Sequence, residues 1–142
     1  MISRIVYSSA ATEPWSANEL EQLLTELREK NRKQDITGVL IFADGVFMQV
    51  LEGDRSVLDT LMPKIRDDSR HHKVTVFHDA AIDERSFKKW RMAYASPSAE
   101  ELSMWAELEG TGSIDDLLAH LQANPQLLPG FLVNIISTLA AK

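Results

Sequence analysis

The chain has 142 residues, with 21 acidic against 15 basic side chains, a net charge of −6 and no cysteine. One domain with a real core fits that length and a second catalytic domain does not; the negative balance disfavours a long phosphate backbone as a direct partner unless a local basic patch prevails; and the absence of thiols excludes disulfides, thiolate metal sites and cysteine adducts. No apolar run approaches the roughly 20 residues of a membrane span, and the first seven residues are too short and interrupted for a signal-peptide core, so a cytoplasmic protein with no membrane contact is expected.

Residues 2–8 carry Ile2, Ile5 and Val6 and predict a first strand with Ile5 and Tyr7 on one face. Ser16 and Glu19 have capping-box spacing, and Leu20, Leu23, Leu24 and Leu27 recur at i, i+3, i+4 and i+7, which predicts a core-facing helix. One turn further the stripe lands on Asn31. An amide there either caps the helix C-terminus or serves a polar partner in the core. Residues 38–43 and 46–51 flank Asp44-Gly45, a tight-turn signal, and predict an antiparallel hairpin. Both faces of its second strand are apolar, so that strand is expected to be central and covered on each side. Gln49 lies between Phe47 and Leu51 on one of those faces. It needs a buried partner, because an unsatisfied amide costs about 1–3 kcal/mol.

Leu58, Leu61, Met62 and Ile65 predict a second helix, with Pro63 as its flaw because proline removes a backbone donor. Residues 67–72 read as a polar loop, 74–82 as a fourth strand, 83–89 as a short helical turn, and 90–95 as a fifth strand with Trp90, Met92 and Tyr94 on one face. The order is the ferredoxin-like pattern: an α+β fold with an antiparallel βαββαββ sheet and two helices on one face. Ser98 and Glu101 form another capping box, and Ile114, Leu117, Leu118 and Leu121 predict a helix after a turn at 110–113. A final helix follows Pro129, with Phe131, Leu132, Ile135, Ile136 and Leu139 on its apolar face. These C-terminal helices are expected to cover the other face of the sheet. The last stripe either packs there or joins subunits, and its strength favours a homo-oligomer. Glu100, Glu101, Glu107 and Glu109 read as a solvated helix face.

Several motifs, in order, resemble the BLUF family of blue-light sensors that use flavin, and within it the stand-alone short BLUF proteins. They are Tyr7-Ser8-Ser9, Asn31, Ile36-Thr37-Gly38, residues 45–53 with Gln49 and Leu51-Glu52-Gly53, Arg70-His71, and Arg85, Phe87, Trp90 and Met92 in the spacing R-x-F-x-x-W-x-M. Each is weak alone and specific in combination. The resemblance covers residues 1–96 as a flavin-binding domain and leaves 97–142 as a helical extension acting as cap, output or oligomerisation element.

The resemblance implies a non-covalent FAD between the two sheet-packed helices, with FMN or riboflavin as alternatives because the ring is recognised and the tail projects outward. It implies that Leu23 and Ile65 flank the ring and that Phe47 belongs to the same pocket. Asn31 would bond the pyrimidine edge, Gln49 would contact flavin N5 and O4, and Tyr7 would donate to Gln49. Lys64, Asp68, Arg70 and His71 would lie toward the ribityl and phosphate side; a solvated loop is the other reading of that group. Lys30 departs from the family pattern, in which many relatives carry asparagine or histidine. The implied photoactive set is Tyr7, Gln49, Trp90 and Met92. Light would drive electron and proton transfer from Tyr7 to the flavin, and Gln49 would rotate, tautomerise or both. A modest red shift would follow, and the signal would leave through Trp90 and Met92 to the C-terminal helices and a downstream protein.

Without the resemblance, Trp90 and Met92 read as ordinary core, and Arg70-His71-His72 lacks the carboxylate spacing that would complete a metal site. The competing functions are a small ferredoxin-like flavin enzyme and an adaptor that has lost photochemistry. The first lacks an acid–base pair, since Glu52 and Asp54 end a strand and His78 is isolated. Intact Tyr7, Asn31 and Gln49 oppose the second. No catalytic residue and no metal are therefore expected, and the chain reads as a non-enzymatic photoreceptor with no effector domain of its own.

Overall fold

The computed structural model describes residues 1–106 and 114–140. The turn expected at 110–113, Glu107, Glu109 and the side chain of Ile114 lie outside the described residues. The elements run β1 (Ile2–Ala11), α1 (Ala17–Gln34), β2 (Thr37–Ala43), β3 (Val46–Asp54), α2 (Arg55–Asp67), β4 (His71–Ala81), β5 (Ala93–Ala95), α3 (Ala99–Trp105), α4 (Ile114–Ala123), a 3₁₀ turn (Pro125–Leu127) and α5 (Leu128–Ala140). The sheet has the order β4-β1-β3-β2-β5. Among the described residues no helix is long and apolar enough to cross a membrane.

Alternation along the strands divides the apolar residues between two faces. Ile5, Tyr7, Leu40, Phe47 and Leu51 share a core with Leu20 and Leu24 of α1 and Leu58 of α2. Val6, Val39, Ile41, Met48 and Val50 point the other way, against Leu102 and Trp105 of α3, Leu117 and Leu121 of α4, and Phe131, Leu132 and Ile135 of α5. The apolar stripe of α5 is thus consumed by the chain's own sheet. Of the large apolar side chains on the C-terminal helices, Met104 and Val133 remain exposed.

Local signals set the element ends. Ser16 and Glu19 close the capping box of α1, Ser98 and Glu101 that of α3, and Asp54 caps α2 through the Ser56 N–H. Pro63 is exposed near the C-terminus of α2, and the helix runs through it because Leu58, Leu61, Met62 and Ile65 still face the core. Gly38 is required by close approach: a Cβ there would lie 1.8 Å from the Val50 carbonyl oxygen.

Four expectations are corrected. β1 runs to Ala11 and pairs its end with His71 and His72, which draws those histidines out of the expected loop and into β4. Residues 83–89 form no helix, because the Ser86 and Phe87 N–H groups donate to the carboxylate of Glu52 rather than to helical carbonyls. The fifth strand is confined to residues 93–95 and pairs parallel with β2, so the sheet is mixed. The chain leaves β4 at the end of the sheet from which β2 starts, and crosses to the opposite edge before turning back. Finally, Trp90 does not share a face with Met92 and Tyr94: it packs on the C-terminal-helix core, while they join the α1–α2 core.

Candidate functional site

A cleft opens between α1 and α2 over the sheet, with about 700 Å³ of empty space when its mouth is included. Leu23 and Leu27 line it from α1, Leu61 and Ile65 from α2, and Leu40, Phe47 and Leu51 from the sheet. Tyr7, Gln49 and Asn31 bring polar atoms into this apolar setting, each 4% exposed.

Register places Tyr7 of β1 directly opposite Gln49 of β3. Its hydroxyl donates to Gln49 Oε1, and Gln49 Nε2 donates to the Met92 thioether sulfur at 3.6 Å. One amide therefore has a strong partner on its oxygen and a weak one on its nitrogen. Burial, with the Asp68 charge second, holds the Tyr7 phenol well above its ordinary pKa and hence neutral. Asn31 donates Nδ2–H to the Arg91 carbonyl at 2.6 Å, and its Oδ1 accepts no hydrogen bond among the described residues. It does not cap α1: Asp35 does, in the left-handed conformation at φ 55°, with its N–H returned to the Asn31 carbonyl.

The rim is charged. The Arg70 guanidinium holds the Asp68 carboxyl down to about 2, against partial burial. His71 bridges Ser9 Oγ and the Ile65 carbonyl, each at 2.6 Å. A carbonyl only accepts, so the proton belongs on Nε2, and in the neutral ring Nδ1 accepts from the Ser9 hydroxyl.

Of the residues expected to contact the cofactor, Tyr7, Leu23, Asn31, Phe47, Gln49, Ile65, Asp68, Arg70 and His71 all line the cleft. Lys64 is exposed on α2 and is not among the lining residues, since the face that meets the sheet is occupied by Leu61 and Ile65. Met92 is buried against Gln49, whereas Trp90 packs on the far core. Glu52 and Asp54 have structural partners: Glu52 is fully buried against Arg4, and Asp54 caps α2.

Trp15 lines the cleft as well, edge-on to Phe47 at 5.6 Å between ring centroids, and sequence reasoning missed it. Its signal was present: an aromatic immediately before the capping Ser16 occupies the position of a hydrophobic staple. Lys30 and Gln34 complete the α1 side of the mouth.

The donor set fits a flavin. The apolar walls suit a flat ring, the Asn31 Oδ1 and the weakly engaged Gln49 Nε2 suit a polar ring edge, and Arg70 suits an anionic tail.

Comparison with known proteins agrees with this geometry. The family model described as "BLUF: Sensors of blue-light using FAD" matches residues 2–93. The chain is 32% identical over 121 residues to the photoactivated adenylate cyclase subunit beta-like protein FB of Euglena gracilis, covering 84% of this chain and 13% of that protein. It is 34% identical over 96 residues to photoactivated adenylate cyclase subunit beta of the same organism, or 67% of this chain and 11% of that protein. The chain thus spans only a small part of these curated relatives. Among solved structures, BlsA in its photo-activated state superposes with a TM-score of 0.81 at 32% identity, over 96% of this chain and 95% of that one. The dark-state structure of BlrB, a BLUF protein, gives 0.77 at 26% identity over 96% of each. The motifs, the cleft and a family match over most of the chain lead to one conclusion: this chain belongs to the BLUF family, the sensors of blue light that use FAD.

Proposed function

We propose that the protein is a non-enzymatic, cytoplasmic blue-light photoreceptor that holds FAD between α1 and α2 and signals to a protein partner through the segment carrying Trp90 and Met92. The observation that supports it most is the buried relay from Tyr7 through Gln49 to Met92. FMN or riboflavin would meet the same ring contacts. Residues 1–96 form the flavin unit and 97–142 the cap and output element; the shared core beneath Trp90 supports that division of labour. Self-association belongs to the same proposal and rests on exposed Met104 and Val133.

When bound, the flavin supplies the blue-light absorption and an excited-state electron acceptor. Tyr7, held neutral by burial, would give up an electron together with its hydroxyl proton, which lies on the hydrogen bond to Gln49 Oε1, so that the phenoxyl left behind is again neutral; the return of both restores the phenol. Half a turn of the Gln49 amide, or its tautomerisation, exchanges the donor and acceptor ends. After the rotation Tyr7 meets Nε2, and the Met92 sulfur loses its N–H donor and faces an oxygen; after tautomerisation the atoms keep their places, Oε1 becomes a hydroxyl that donates to Tyr7, and the imine at Nε2 is left facing Met92. The change therefore reaches the strand-entry segment through a single contact. No step needs a thiol or an acid–base pair.

The test is the absorption spectrum before and after blue light, on wild type and on Tyr7→Phe. The expected result is a flavin spectrum that shifts slightly red, recovers in darkness, and in Tyr7→Phe stays bound but unshifted. Yellow protein without a reversible shift would favour the flavin enzyme or the silent adaptor. Protein that takes up no flavin would remove the reading.

A further inference from the structure

Three consecutive carbonyls leading into β5 are held by three different donors. Trp90 accepts from the Gly38 N–H at 3.0 Å, Arg91 from Asn31 Nδ2 at 2.6 Å, and Met92 from Arg28 Nε at 3.0 Å. Met92 therefore has its sulfur on Gln49 inside the cleft and its carbonyl on an arginine of the outer surface of α1. A displacement of Met92 that carries its backbone along breaks or lengthens the bond to Arg28.

The surface around Arg28 is basic. A groove between α1 and the 89–91 segment is lined by Arg28, Arg32, Lys89 and Arg91, with Trp90 in its wall and Glu29 as its one lining carboxylate. Glu29 is shared by Arg32 at 2.5 Å and Lys33 at 3.7 Å, and Asp35 is shared by Arg85 and Arg91. Neighbouring Lys88 and Lys89 are exposed and in no ion pair among the described residues. This local positive excess belongs to a chain with a net charge of −6, so its field is confined to the groove and opposed elsewhere.

We propose that this groove docks an acidic segment of a partner protein, and that Arg28 sets the affinity according to the state of Met92. The inference rests on the photoreceptor reading above. In the present arrangement Arg28 is committed to the Met92 carbonyl; when Met92 shifts, its guanidinium is released to a carboxylate, a stronger, charge-assisted partner. The half-buried Trp90 supplies an apolar anchor beside the charges. A short acidic segment matches a patch of this size, whereas a longer nucleic acid would meet the negative remainder of the molecule.

The experiment titrates the FAD-loaded protein into a rhodamine-labelled hexaglutamate peptide, in darkness and under blue light. The absorption shift is recorded on the same samples, with single-stranded DNA of equal charge as competitor. Binding is expected to tighten about threefold on illumination, the order of one exposed charge contact. Lys89→Glu weakens binding in both states, and Arg28→Gln keeps the red shift but loses the light dependence of binding. Protein that red-shifts yet binds the peptide equally in both states, or not at all, overturns the inference and leaves the photoreceptor reading standing. DNA that outcompetes the peptide assigns the groove to nucleic acid and overturns it too. Protein without a red shift fails at the earlier reading, and this one falls with it.

Discussion

Gln49 turns its oxygen to a phenol and its nitrogen to a thioether, so reversing the amide exchanges a good hydrogen bond and a poor one between two buried neighbours. That asymmetry makes Tyr7→Phe the informative substitution: it removes a hydroxyl without changing the shape of the cleft, and loss of the reversible red shift with flavin retained is its expected outcome. A second residue carries a pH dependence. His78 lies opposite Val6 in the β1–β4 ladder, and its Nε2 is buried without a hydrogen-bond partner. Desolvation, with the Arg4 charge next, lowers its pKa from the ordinary 6.5. The unfolded chain therefore takes up the proton first: stability is full above about pH 6.5 and falls as the pH drops through the lower folded value. Urea midpoints measured at about pH 7.5 and about pH 5.5 should show the wild type losing stability on acidification and His78→Gln losing less of it. Gln49 and Asn31 were legible as single residues because each breaks an apolar pattern, whereas Tyr7, which fits the apolar face of β1, was legible only through the family motif. Trp15 was not legible, because its one cue, the staple position before the capping Ser16, speaks to how the chain enters α1 and not to a cleft.

The segment between β4 and β5 has little secondary structure, and its first half is anchored on one carboxylate. Glu52, fully buried on β3, accepts from Arg4 Nε and Nη2 at 2.9 and 2.7 Å and from the Ser86 and Phe87 N–H groups at 3.1 and 2.7 Å. Arg85 adds bonds to the Thr37 hydroxyl and to the Glu52 and Asp35 carbonyls, and Phe87 is fully buried beside Trp90. Removing the carboxylate strands a largely buried guanidinium and two amides together. Glu52→Ala should therefore cost about 3–5 kcal/mol in chemical denaturation, and Glu52→Gln less, since its amide oxygen still accepts. A wild-type midpoint for Glu52→Ala would refute this anchoring. The sequence reading of 83–89 as a helical turn failed here for a physical reason: helical propensity is local and weak, whereas the acceptor that claimed these amides comes from more than thirty residues earlier in the chain.

At the scale of the whole molecule, one sheet separates two cores with different tasks: the α1–α2 side encloses the cleft, and the α3–α5 side supplies a packed backing. Phe131→Ala, at a site 1% exposed in the backing core, should cost about 3–5 kcal/mol by urea unfolding. Flavin binding should persist, because Phe131 lies across the sheet from the cleft. Unchanged stability would mean that α5 is not packed on the sheet. Strands β1 to β4, the helices α1, α2, α4 and α5, the Asp44-Gly45 hairpin, both capping boxes and the order of the family motifs followed from the sequence by itself, because each depends on neighbours within a few residues. Only the tertiary structure decided that β5 runs parallel to β2, that Trp90 and Met92 lie on opposite sides of the sheet, that Lys64 stays outside the cleft, and that the stripe of α5 is buried within its own chain. Those outcomes depend on where the chain returns in space and which distant groups compete for the same surface, and no local period encodes that.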